Sequence, residues 1–84
     1  MILYTQEVKQ LAGIDKLIEK MKRQPNGIRP EEAERVLIHY NYEPVRQKGS
    51  HKHYLNNSGD LITIKIETPL KAVYVKDILK RILP

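Results

Sequence analysis

The sequence contains no cysteine, which excludes a disulfide framework and any thiolate metal site and suits a reducing cytoplasm. No apolar run approaches the roughly 20 residues that a helix needs to cross a bilayer. The first four residues, Met1 to Tyr4, lack the charged start and the length of a signal peptide. The expectation is a soluble, cytoplasmic chain with no membrane contact. Glycine-rich phosphate loops, carboxylate pairs at metal-binding spacing, internal repeats and low-complexity linkers are also missing. No cofactor and no metal are therefore expected. At 84 residues the chain forms a single domain over residues 1–84, with a modest core and room for one site.

What is present is positive charge, and its distribution is uneven. The formal net charge is +5. Residues 1–42 carry seven Lys/Arg against six Asp/Glu, whereas residues 43–84 carry eight against four. Arg46, Lys48 and Lys52 have no acidic residue between them, a pattern that suits a polyanion held through phosphates. A solvated basic face accounts for the same charges.

Ile14, Leu17, Ile18 and Met21 recur at helical spacing, with charged residues opposite, so a first amphipathic helix begins near Ile14. Residues 1–12 give only a weak stripe that Gly13 interrupts, and read as a possible frayed arm. Gln24-Pro25-Asn26-Gly27 ends the helix. Pro30 opens a second helix, Glu31 and Glu32 complement its positive end, and Ala33, Val36, Leu37 and Tyr40 form its apolar stripe. His39 lies off that stripe and has no assigned role. Asn41 suits a left-handed helix stop. Three strands follow, from about Tyr42 to Gln47, Ser50 to Asn56 and Leu61 to Ile66. Pro44 marks the first as an edge strand. A last helix, from about Ala72 to Leu83, closes the core with Val75, Ile78, Leu79 and Ile82. The order helix, helix, three-stranded antiparallel meander, helix predicts an α+β two-layer sandwich.

The stretch from Val45 to Asn57, VRQKGSHKHYLNN, carries the chemistry. Lys48-Gly49 supplies a tight turn, because glycine takes positive φ without steric cost. Alternation along the following strand sends Ser50, Lys52 and Tyr54 to one face and His51, His53 and Leu55 to the other. A histidine at that position can serve as an acid or base near neutral pH. His51 and His53 share a face, but no cysteine or nearby acid completes a metal ligand set. Packing or surface roles remain open for such a pair.

The run from Gly13 to Ile66, followed by VKDILKRIL at residues 75–83, resembles the HicA (YcfA-like) toxins of bacterial toxin-antitoxin systems. The most specific part is Gly49-Ser50-His51 followed by the aromatic Tyr54, between a helix ending near Tyr42 and a strand meander. The resemblance implies a double-stranded-RNA-binding-domain-like fold and an mRNA endoribonuclease (an mRNA interferase) whose catalytic histidine falls on His51. It also implies a HicB-like antitoxin partner that covers the site. Tyr54 matches the family's aromatic and, by alternation, anchors the strand on the face opposite His51. Two features depart from the pattern. Many members carry a Pro-x-His-like segment after the third strand, where this chain has KIETP at residues 65–69, and residues 1–12 exceed the usual start.

RNA carries its own nucleophile, the 2′-OH, and its cleavage needs only deprotonation, alignment and charge stabilisation at the phosphate. On this reading His51 takes the proton, and Arg46, Lys48 and Lys52 hold the backbone. The Gly49 and Ser50 N–H groups are placed to meet a phosphate oxygen. His53, one pleat further along, is expected to matter much less than His51. The free protein is expected to be a monomer. A non-catalytic RNA-binding module would keep the basic turn and tolerate loss of His51, and an adaptor would use the exposed sheet face for protein contacts alone.

Overall fold

The computed structural model describes the backbone of residues 2–84 and the side chains from Gly13 onward. Three helices and three strands follow in the order α1 (Ile2–Arg23), α2 (Pro30–His39), β1 (Glu43–Lys48), β2 (His51–Leu55), β3 (Leu61–Lys65) and α3 (Ala72–Ile82). The expectation of a frayed arm at residues 1–12 concerns packing that lies outside the described residues. Gly13 does not interrupt α1 as the stripe suggested. A glycine inside a helix costs about 1 kcal/mol relative to alanine, a penalty that neighbouring turns can absorb.

Local chemistry explains where each helix starts and stops. At α2, Pro30 takes the first helical position and the Glu32 carboxylate accepts the Arg29 backbone N–H at 3.0 Å. Lys20 on α1 donates to the other Glu32 oxygen at 2.8 Å, which ties the first two helices together. The Arg29 N–H first, and Lys20 next, hold the Glu32 carboxyl below its ordinary range. At the far end Asn41 adopts φ 67°. Its N–H bonds the Ile38 carbonyl at 3.0 Å and the Tyr42 N–H bonds the Leu37 carbonyl at 2.9 Å, the paired bonds of a Schellman stop.

The sheet has strand order β1-β2-β3, antiparallel throughout. Its register between Pro44 and Arg46 is shifted by a bulge at Val45, at the edge where proline cannot donate to a ladder. One sheet face packs on the helices. Tyr54, Ile62 and Ile64 join Ile14, Ile18 and Met21 of α1, Val36 and Leu37 of α2, and Val75 and Ile78 of α3 in one buried cluster. The Leu70 N–H bonds the Ile28 carbonyl at 2.8 Å, fastening the β3–α3 connection to the α1–α2 loop. On the opposite sheet face no residue is buried, and every residue of β1 is exposed. The architecture is the α+β, double-stranded-RNA-binding-domain-like sandwich that the sequence predicts. Among the described residues no helix is long and apolar enough to cross a membrane.

Candidate functional site

The β1–β2 hairpin closes through two residues, Gly49 and Ser50, since Lys48 pairs directly with His51. Gly49 takes φ 59°, whereas Ser50 has no positive φ, the pattern of a type II′ hairpin turn. The loop is held from both sides. Gln47 Nε2 donates to the Gly49 carbonyl at 3.1 Å, and the Ile66 N–H donates to the Ser50 carbonyl at 2.6 Å. Among the described residues the Gly49 and Ser50 N–H groups have no protein acceptor, and both residues are exposed beside His51.

Strand register arranges the open sheet face in rows. Lys48, His51 and Lys65 lie side by side across β1, β2 and β3. Arg46, His53 and Thr63 form the next row, and Glu43, Leu55 and Leu61 the one beyond. Directly opposed residues in an antiparallel pair have Cβ atoms about 4.5–5.5 Å apart. His51 is exposed and bracketed by two lysines. His53 is half-buried, and its Nδ1 lies 2.8 Å from Thr63 Oγ1. Among the described residues Arg46, Lys48 and Lys65 enter no salt bridge.

The structure thus brings Arg46, Lys48, Gly49, Ser50 and His51 together and sets Lys52 apart. Lys52 points to the helix layer, where its Nζ lies 2.9 Å from Glu34 Oε1 and 5.5 Å from the centre of the Tyr54 ring. The reason is strand alternation, which sends residue 52 to the face opposite residue 51. Lys65 is the member of the site that sequence reasoning passed over. Its outward position was readable from the alternation of Ile62, Ile64 and Ile66. Its place beside His51 depends on a register that only the folded hairpins define.

Beneath β2, Glu34 of α2 gathers two donors on one oxygen, Lys52 Nζ at 2.9 Å and Tyr54 Oη at 2.8 Å. These bonds, that from Lys52 foremost, hold the Glu34 carboxyl below its ordinary value, while burial and then Glu34 push the Tyr54 phenol up. A second polar clamp closes the other end of the sheet. Tyr42 Oη donates to Asp60 Oδ2 at 2.5 Å, Arg81 Nη1 donates to Asp60 Oδ1 at 2.6 Å, and Arg81 Nε also reaches Asp77. Arg81 is therefore engaged in holding α3 to the β2–β3 turn.

A lone exposed imidazole flanked by ammonium groups and two open N–H donors suits acid-base chemistry on a phosphodiester. Among the described residues no three His, Asp or Glu side chains come together to hold a metal ion. A family model described as HicA toxin of bacterial toxin-antitoxin matches residues 30–82, more than half of the chain and all of the rows described above. No curated protein and no solved structure matches.

Proposed function

Because the chain belongs to the HicA toxin family of bacterial toxin-antitoxin systems, we propose that it is an mRNA endoribonuclease whose catalytic residue is His51. The observation that carries this reading is the row Lys48–His51–Lys65 beside a glycine turn on an uncovered sheet face. His51 takes the 2′-OH proton, and the resulting oxygen attacks the adjacent phosphorus. Lys48 and Arg46 hold the backbone through charge, and the Gly49 and Ser50 N–H groups donate hydrogen bonds to a phosphate oxygen. Lys52 supports the strand through Glu34 and does not meet the RNA on this face. The same open face is where a HicB-like antitoxin would block access.

The test is incubation of purified protein with a long mRNA, followed by analysis of the new ends. Internal 2′-OH attack yields 2′,3′-cyclic phosphate and 5′-hydroxyl ends. Binding without any new ends would favour the non-catalytic RNA-binding module.

A further inference from the structure

His51 and His53 point from the same face of β2, two residues apart, and the second is not a bystander to packing. Its ring is fixed by a named partner, Thr63 Oγ1, at 2.8 Å from Nδ1. We propose that His53 is a second catalytic residue, the general acid that protonates the leaving 5′-oxygen, with Thr63 as its positioning residue. This inference rests on the endoribonuclease reading above, adds to it the second half of the proton transfer, and replaces the expectation that His53 matters much less than His51.

The geometry fits the reaction. Side chains at i and i+2 on a strand stand about 6.5–7 Å apart, which leaves room for one phosphate with a hydrogen bond on each side. In an in-line displacement the attacking and leaving oxygens lie on opposite sides of phosphorus, so two separated imidazoles can serve one each. His51 removes the 2′-OH proton as the 2′-O–P bond forms. As the P–O5′ bond breaks, His53 gives its Nε2 proton to the 5′-oxygen. The products are a 2′,3′-cyclic phosphate and a 5′-hydroxyl, with His51 left protonated and His53 neutral. Solvent exchange then restores both.

Thr63 suits this cycle because a hydroxyl can accept a hydrogen bond. Its oxygen accepts from Nδ1–H both when His53 is an imidazolium and after Nε2 has given up its proton. The ring can therefore gain or lose a proton without turning. Arg46, directly across β1 from His53, is placed to hold the phosphate against both rings.

The experiment compares two substrates that differ at one atom: an RNA oligonucleotide with its natural 5′-oxygen, and the same oligonucleotide with sulfur bridging at that position. A thiolate leaves without being protonated, so general-acid catalysis matters only for the first. His53→Ala should lose roughly 10² to 10⁴ in single-turnover rate on the oxygen substrate and cleave the sulfur substrate close to the wild-type rate. Thr63→Val should show a smaller loss confined to the oxygen substrate, and Thr63→Ser should restore it. His53→Gln replaces the alanine variant if the latter does not fold. Equal losses on both substrates, or none on either, would overturn the assignment. His51→Ala should fail on both substrates. If His51→Ala is inactive and His53→Ala is wild type, this inference alone fails, whereas wild-type cleavage by His51→Ala removes the endoribonuclease mechanism itself.

Discussion

Tyr54 of β2 donates its phenol proton to Glu34 of α2 at 2.8 Å, on the same carboxylate oxygen that Lys52 reaches at 2.9 Å. This bond fixes the inner face of the strand whose outer face presents His51 and His53. It also makes the strand's seating sensitive to acid. The folded state holds the Glu34 carboxyl below its ordinary value of 4.5, through Lys52 first. A carboxylate depressed in the fold contributes stability that is present above the unfolded value and is lost as pH falls through the folded one. Urea midpoints should therefore drop as pH is lowered below about 4.5, and Glu34→Gln should flatten that part of the dependence. An unchanged acid limb in the variant would show that the Glu34 contacts do not persist in solution.

Salt dependence separates the lysines. Lys48 is exposed on the open face, whereas the Lys52 side chain is 25% exposed and paired with Glu34. Lys48→Ala and Arg46→Ala should each lower the slope of log affinity against log salt by about 0.7 for single-stranded RNA. Lys52→Ala should leave the slope alone and lower stability, by up to about 1 kcal/mol for a partly exposed pair. Affinity measured from 50 to 200 mM salt decides the matter, and a slope change for Lys52 alone would place the RNA elsewhere.

The clamp at the other end of the sheet is visible by titration. Burial, and then the bond to Asp60, push the Tyr42 phenol up to about 12. A phenol raised in the fold stabilises it fully below the ordinary value near 10 and loses that contribution as pH rises through 12. Ultraviolet difference titration should show late ionisation of both Tyr42 and Tyr54, of which only Tyr42 moves toward lower pH in Asp60→Asn. The absence of any movement would mean that burial alone sets the Tyr42 value.

No three metal-ligating His, Asp or Glu side chains converge among the described residues, and the chemistry assigned to His51 is proton transfer. Cleavage should accordingly survive excess EDTA. Loss of activity with the chelator, restored by an added divalent ion, would require the acid-base mechanism to be dropped.

Most of the fold was legible because local signals agreed with global ones. Pro30 set the start of α2, Asn41 its end, and the alternating isoleucines of β3 the buried face. The start of α1 was not legible, since Gly13 lowers helix propensity without forbidding the helix. At the site, Gly49 and His51 were readable from the turn, and alternation already placed Lys52 on the far side. Lys65 and Thr63 lie beside His51 and His53 through cross-strand register alone, which hairpin closure determines and no local pattern in β3 announces. The Glu34 pairing was equally silent, because residue 34 meets residues 52 and 54 only after α2 has packed on the sheet.

The most direct measurement is the rate at which folded His51→Ala cuts a long RNA, beside wild type prepared identically. His51 is exposed next to a glycine turn, so the variant should keep its stability within about 0.5 kcal/mol and most of its RNA affinity. Its cleavage rate should fall by roughly 10² to 10⁴, and its expression without an antitoxin should cease to arrest growth. Cleavage at the wild-type rate by the folded variant, with contaminating nuclease excluded, would contradict the account.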